Sequence, residues 1–396
     1  MRDKILLITP RIPYPPVGGD RIRAYNFTRI LKKYFDLYLI SLEDKFSSLS
    51  EETCDFLSQN FVEYRVFFLK KANRYLNSFR AYFSDNPIQT GYFYSKRVKK
   101  EIEELISREN FRLLFPFLIR TAGYVKDRPE KKIVELTDSI FFHYMDAHSK
   151  VNSLFWKAIY REEALRLFKF EREVVSSFDA SIFVNFYETN FYERFGRVQW
   201  VPMGVNGELL NYNGKKEEFK DYISFIGVLS TVPNKTSLYW FLENVFPYID
   251  RRIKFAILGT NPPEKLLKMA EKYNGRIYVP GYLKDPYNII SSSFLFVAPM
   301  QIGAGFPDKV LEAMALGKPV LTTTFAGKSV IGAKNWRDFI ISDTAEEMYN
   351  TINRIFRGEV NVENIGENAR RLVQNNYTWA HAEKNLISII EEILKI

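Results

Sequence analysis

At 396 residues, with 46% hydrophobic and 26% charged side chains, the chain is of globular composition and long enough for two cores. Its single cysteine, Cys54, excludes an internal disulfide framework and fits a reducing cytoplasm. The apolar run ILLI at 5–8 is too short for a signal peptide, and no stretch approaches the ~20 apolar residues of a membrane span, so neither a secreted nor an integral membrane class is expected.

The net charge of +9 is unevenly placed. Residues 1–200 carry 33 Lys/Arg against 26 Asp/Glu, and residues 201–396 carry 23 against 21. Between 65 and 100, nine basic residues meet one acid, Asp85, and this segment accounts for the whole N-terminal excess.

In chain order, residues 4–9 (KILLIT) read as a buried strand, 21–33 as a helix with a core face, and 36–42 as a second strand. This βαβ opening is how a Rossmann-like domain begins. The loop between strand and helix, PRIPYPPVGGD, lacks the GxGxxG dinucleotide fingerprint, so NAD binding is unsupported. Gly18 and Gly19 instead permit close approach of a substrate, or simply make the turn. A strand follows at 61–69. Residues 70–84 then form an amphipathic helix with Tyr75, Leu76, Phe79, Tyr82 and Phe83 on one face. That face either packs on the sheet or lies on an anionic membrane surface, with the basic residues facing the lipid headgroups. No nucleic-acid module is recognisable, so nucleic acid is not an expected partner.

Strands are expected at 111–119 and 132–137, a long helix at 152–177, and further strands at 179–184 and 197–201. Asp138, at the end of 132–137, is either a helix N-cap or a carboxylate able to bind sugar hydroxyls. The three histidines show no metal spacing, and His143 in FFHYM reads as buried structure. A boundary falls near 202, followed by strands at 222–226, 253–258, 276–280 and 294–299 with helices between. Residues 303–322, GAGFPDKVLEAMALGKPVLT, combine a glycine-bearing loop, a helix starting near Pro307 or Asp308 and a strand from 319. The helix N-terminus, with Lys309 in its first turn and Glu312 one turn on, forms a site for a diphosphate.

The string KVLEAMALGKPV resembles the donor-binding helix of family-4 retaining glycosyltransferases, and GxGxxxKVLEAMA resembles their subgroup associated with bacterial exopolysaccharide synthesis. The resemblance implies a GT-B fold: two facing Rossmann-like α/β domains with a C-terminal helix crossing back to the first. The expected domains are an acceptor-binding domain at 1–202, a donor-binding domain at 203–375 and the returning helix at 376–396. Glu312 matches the glutamate that holds the ribose. The family's first glutamate falls at Ala304, so contact to the donor sugar passes to backbone amides at Gly303, Ala304, Gly305 and Phe306.

The string YPPVGGDRIRAYN resembles the subgroup's cleft loop, which places Gly18 and Gly19 there. VELTDS resembles VDxxDxxS and puts Asp138 at the cleft rim. Gly227 matches a strand-end glycine followed in the family by an arginine and a lysine on the donor phosphates. Val228 stands at the arginine position, and Lys235 is the candidate lysine, its alternative being a solvated first-turn charge. Gly281 and Tyr282 fit the loop under the nucleotide base, with Tyr282 stacking or filling the core.

No Asp-x-Asp occurs, so Lys309 and helix N-termini are expected to neutralise the leaving diphosphate with no metal or other cofactor. The activity implied is transfer of a sugar from a nucleotide-sugar to a saccharide or lipid-linked acceptor, with retention, with Asp138 and Lys309 in catalysis. It is expected in the cytoplasm, with 65–100 as the segment able to touch the inner face of the membrane. Two alternatives stand beside it: a GT-B-like sugar-nucleotide epimerase, and a non-catalytic sugar-nucleotide-binding protein.

Overall fold

A computed structural model describes residues 2–43, 49–83, 86–302 and 308–396. The chain divides into two compact units, Met1–Pro202 together with Glu383–Ile396, and Met203–Ala382.

In the first unit, strands β1 (Lys4–Thr9), β2 (Asp36–Glu43), β3 (Glu63–Phe68) and β4 (Leu113–Pro116) pair in the order β3-β2-β1-β4, and β5 (Ile133–Thr137), β6 (Ala180–Phe183) and β7 (Val198–Trp200) pair in the order β5-β6-β7. Single bridges from Leu114 to Lys132 and from Phe117 to Glu135 join the two groups, and every pairing is parallel. Parallel strands buried on both faces need nearly continuous apolar runs, and LLIT of β1 and LLFP of β4 supply them. The connecting helices are α1 (Gly19–Leu31), α2 (Glu51–Asn60), α3 (Lys71–Tyr82), α4 (Ile88–Phe93), α5 (Lys96–Arg108), α6 (Ile119–Ala122), α7 (Ile140–Lys150), α8 (Leu154–Ser177) and α9 (Phe186–Tyr192).

The second unit is a six-stranded parallel sheet in the order β10-β9-β8-β11-β12-β13. Its strands are β8 (Tyr222–Ile226), β9 (Lys254–Leu258), β10 (Ile277–Tyr278), β11 (Leu295–Ala298), β12 (Val320–Thr322) and β13 (Ile340–Ile341). Its helices are α10 (Val232–Asn244), α11 (Glu264–Glu271), α12 (Tyr287–Ser292), α13 (Asp308–Ala315), α14 (Thr324–Gly327), α15 (Ala345–Phe356) and α16 (Glu363–Asn376). The last helix, α17 (Trp379–Leu394), groups with the first unit from Glu383 onward, seven residues beyond the boundary expected at 376. Buried Leu386 and Ile390, and ion pairs from Lys33 to Glu383 (2.6 Å) and Arg197 to Glu392 (2.5 Å), fix it there.

One element departs from its sequence pattern. The aromatic face of α3 does not pack on the sheet: Tyr75 is 66% exposed, Phe79 62% and Phe83, just past the helix, 73%. The basic Arg74 is buried instead, at 2% exposure. Its guanidinium donates to the Glu43 carbonyl (3.0 Å) and lies over the rings of Tyr92 (5.0 Å) and Phe93 (5.4 Å). Arg74 therefore does not belong among the surface charges, because desolvation is offset here only by contacts fixed within the fold.

Candidate functional site

Both sheets reverse direction beside their first strand. In the second unit β8 has β9 on one side and β11 on the other, a switch point that leaves a crevice at the carboxyl ends of β8 and β11. Gly227 follows β8, and α13 begins beyond β11. Gly303, Ala304, Gly305 and Phe306, the expected amide donors, lie outside the described residues, as does Pro307.

The start of α13 is built around Lys309. Its ammonium donates to Asn234 Oδ1 and sits 4.6 Å above the centre of the Phe225 ring. Asn234 is held in turn by donating Nδ2 to the Val228 carbonyl (2.9 Å). Gly227 makes room for this: a Cβ there would stand 2.6 Å from Asn234 Nδ2 and 3.2 Å from Lys309 Nζ. Gly259, at φ +136°, packs its α-carbon against the Gly227 carbonyl, where a Cβ would come within 1.7 Å. Burial pushes the Lys309 pKa down to about 8, with Asp308 and Glu312 opposing.

Glu312 is partly buried and hydrogen-bonded to Tyr287 of α12. Burial pushes its carboxyl up to about 7, Asp308 adding to the shift while Tyr287 and Lys309 oppose it. The N-terminal half of α13 thus carries a cation and an acid that both titrate close to neutrality, a pattern that clusters at functional sites.

Lys235 is half-buried on α10, and no ion pair or side-chain hydrogen bond of its own is found among the described residues. The preceding residue, Asn234, occupies the place beside Lys309. Tyr282 is 74% exposed, after Gly281 at φ +79°, which excludes the core-filling alternative.

In the first unit the switch point lies between β1 and β4. Gly18, at φ +95°, precedes α1, and a Cβ on Gly19 would meet nothing within 4 Å, so that stretch is open. Asp138 stands at the carboxyl end of β5. It does not cap α7: Ser139 does, with Glu171 accepting from the Ile140 amide (2.8 Å) and the Phe141 amide (3.2 Å). Glu171 also accepts from Ser139 Oγ (2.7 Å) and from the Tyr192 hydroxyl, and Glu188 accepts from the Ser139 amide (2.6 Å). The cap is complete without Asp138, whose sealed Oδ1 has no hydrogen-bond partner among the described residues.

The preceding Thr137 holds φ +62°, a left-handed conformation costly for a β-branched residue, by roughly 1–3 kcal/mol. Glu135 retains it there, accepting from the Thr137 amide (2.8 Å) and hydroxyl (3.1 Å). Glu135 is itself locked in a fully buried pair with Arg23 of α1, at 2.8 and 2.9 Å. Arg23 further donates to the Val201 carbonyl (2.8 Å). Burial pushes the Asp138 carboxyl up to about 6, with Glu135 adding to the shift and Arg23 opposing it. A strained residue held by a buried ion pair thus immediately precedes a carboxylate whose Oδ1 has no hydrogen-bond partner among the described residues.

His143 is buried enough that its pKa is lowered, and His148 Nδ1 bonds the Lys157 carbonyl (2.9 Å); among the described residues no group of three or more His, Cys, Asp and Glu is placed to hold a metal.

Residues 220–357, all within the second unit, match the family described as Glycosyl transferases group 1. Over 409 aligned residues, 98% of this chain and 99% of the relative, the chain is 20% identical to an uncharacterised 44.6 kDa protein in the cps region of Klebsiella pneumoniae. Over 186 residues it is 23% identical to an uncharacterised glycosyltransferase of Methanocaldococcus jannaschii, a match spanning 45% of this chain and 47%, about half, of that relative. Among solved structures, a sucrose-phosphate synthase from Thermosynechococcus elongatus superposes with a TM-score of 0.70 at 14% identity, covering 100% of both chains. HepE of Anabaena, in complex with UDP and glucose, superposes with a TM-score of 0.69 at 11% identity, covering 99% of this chain and 100% of that one. The fold is GT-B.

Proposed function

We propose that the protein is a retaining, metal-independent glycosyltransferase. The second unit holds a nucleotide-sugar, and the first supplies Asp138 to orient a saccharide or lipid-linked saccharide acceptor. The observation that carries this reading is the pairing of Lys309, in the first turn of α13, with Glu312, one turn on, at the sheet's switch point. A cation and a helix N-terminus suit a diphosphate, and a carboxylate one turn on suits ribose hydroxyls. As the bond from the anomeric carbon to the donor phosphate breaks, the nucleoside diphosphate leaves with the electron pair and Lys309 offsets its charge; the acceptor oxygen bonds the anomeric carbon on the same face and passes its proton to a donor phosphate oxygen. The group 1 match and the UDP and glucose in the HepE complex support the donor class, and the cps-region relative supports a role in cell-surface polysaccharide synthesis. No described helix is long and apolar enough to cross a membrane; contact at its cytoplasmic face through 65–100 is part of the same proposal.

Thermal unfolding with UDP, GDP, ADP and CMP tests the donor. A ligand at a hundred times its dissociation constant adds about 2.7 kcal/mol of stability. UDP is the first expectation, and no shift with any of the four would sink the reading. Sugar transfer should survive EDTA. Conversion of a nucleotide-sugar without acceptor would point to the epimerase instead.

A further inference from the structure

The charge at the start of α13 is held by neutral partners. The stretch that follows β8, GVLSTVP at 227–233, contains no Lys or Arg. Lys309 comes to the end of β8 from α13 instead, and its Nζ lies 3.2 Å from where a Cβ on Gly227 would stand. The ammonium donates to Asn234 Oδ1 and sits 4.6 Å from the centre of the Phe225 ring. Among the described residues no carboxylate lies within ion-pair distance of it.

A lysine ammonium has three N–H donors and a strongly held hydration shell, which burial strips away. An amide oxygen and a ring face replace part of that shell without cancelling the charge. A carboxylate in the same place would hold the cation more tightly, but an arriving phosphate would then have to break a partly buried ion pair. An amide fixes the position of the cation and leaves its charge to a ligand.

Asn234 is itself fixed. It is 7% exposed in the first turn of α10, and its Nδ2 donates to the Val228 carbonyl (2.9 Å). Only this orientation of the amide satisfies both neighbours, since an ammonium cannot accept and a carbonyl cannot donate. The room for it comes from Gly227, where a Cβ would stand 2.6 Å from Nδ2. A residue that merely pinned the loop after β8 would need the Nδ2 bond alone. The oxygen is turned to the one neighbour that bears a positive charge. With a ribose at Glu312, Lys309 lies almost one helical turn nearer the N-terminus of α13, the end at which phosphates are favoured.

We propose that Asn234 is a positioning residue for diphosphate binding: it aims the Lys309 ammonium at the phosphates and so makes the site prefer nucleoside diphosphates to monophosphates. This rests on the reading of the second unit as a donor site and adds the residue that orients its cation.

Calorimetry on the full chain compares UDP with UMP, and GDP with GMP and ADP with AMP alongside. The wild type should bind the diphosphate of at least one pair about tenfold or more tightly than its monophosphate. Asn234→Ala should weaken that diphosphate by about tenfold and the monophosphate by less than about threefold. The pH profile supplies a readout that a loop latch would not move. In the wild type the basic limb is set by Lys309, with Asp308 and Glu312 acting on it, and lies near pH 8. Losing the Asn234 oxygen disfavours the ammonium, so Asn234→Ala should move this limb to lower pH. A carboxylate there favours the ammonium, so Asn234→Asp should move the limb to higher pH while lowering affinity at the maximum.

Equal weakening of diphosphate and monophosphate by Asn234→Ala would overturn the proposal in favour of a latch for the loop after β8. A basic limb unmoved in both variants, or a diphosphate preference that survives in Asn234→Ala, would overturn it while leaving the donor site standing. A wild type that binds no member of any pair would sink the donor reading, and this proposal with it.

Discussion

Lys309 is a cation held where charge is disfavoured, and Glu312 beside it is an acid in the same position; together they predict how nucleotide binding depends on pH. Lys309 loses its proton above about pH 8 in the free protein, so binding a diphosphate there must take up a proton, and affinity falls as pH rises. Glu312 is protonated below about pH 7, so if ribose hydroxyls donate to the carboxylate, binding must release that proton, and affinity falls as pH drops. Calorimetry with UDP from about pH 5.5 to 9.5 should therefore find a maximum near pH 7–8, each limb approaching tenfold per unit. Glu312→Gln should lower the maximum by about 1.5–3 kcal/mol and abolish the acid limb alone. A flat profile would remove both residues from the site. Lys309 and Glu312 are legible in the sequence because helix spacing puts them on neighbouring positions of one turn. Asn234 is not: it lies next to Lys235 in PNKT, and one residue of rotation about α10 decides which of them meets Lys309. The reach of Arg23 to Glu135, 112 positions away, has no local signature either.

At the scale of elements, the loops after β8 and β9 interlock through two glycines. Gly259→Ala would drive a Cβ into the Gly227 carbonyl at a left-handed φ, and should cost about 3 kcal/mol or more in urea unfolding. Gly19→Ala, where a Cβ meets nothing, should change stability by less than about 0.5 kcal/mol. Helix α3 supplies the contrast between charges. Arg74→Gln removes a buried guanidinium from a carbonyl and two rings and should cost about 2–4 kcal/mol, while Lys70→Gln and Lys71→Gln should cost almost nothing. Equal stabilities for these variants would show Arg74 to be a surface charge after all. The strands were legible because parallel sheets demand apolar runs, as KILLIT shows. The orientation of α3 was not, since its periodicity reports that one face differs from the other and is silent about which face turns inward. Helices α5 and α7 escaped for a related reason: KRVKKEIEELISR is dominated by its solvated side, and FFHYMDAH by aromatics that fit a strand as readily.

For the whole molecule, the division of the chain means that the first unit is closed by residues 383–396, separated from the rest of it by the entire second unit. Leu386, Ile387, Ile389, Ile390, Ile393 and Leu394 are all buried, and Arg112 donates to the Leu394 carbonyl (3.2 Å). Removing 383–396 strips these from the first unit and leaves the second complete. The truncated chain should lose the cooperative unfolding of the first unit and expose apolar surface to a hydrophobic dye, yet keep its stabilisation by UDP. Loss of UDP binding together with the helix would show that the donor site needs those residues. The doubly wound order of both sheets was readable from alternating strand and helix patterns; the exit of α17 from one unit into the other at Glu383 falls mid-helix, where neither composition nor a breaker marks it.

The outward face of α3 also governs how the protein behaves with no lipid present. Tyr75, Leu76, Phe79 and Phe83 are exposed on the first unit, as are Leu154, Phe155 and Trp156 at the start of α8, and Arg166 of α8 donates to the Ala81 carbonyl of α3 (3.3 Å). Apolar surface of that kind tends to find another copy of itself, and the cations beside it keep copies apart. At 1 M salt the repulsion reaches only ~3 Å, while apolar association is undiminished or stronger. Sedimentation should therefore show larger species as salt rises, opposite in sign to the weakening that salt imposes on an anionic ligand. Storage in high salt, the usual remedy for a basic protein, would then favour its precipitation.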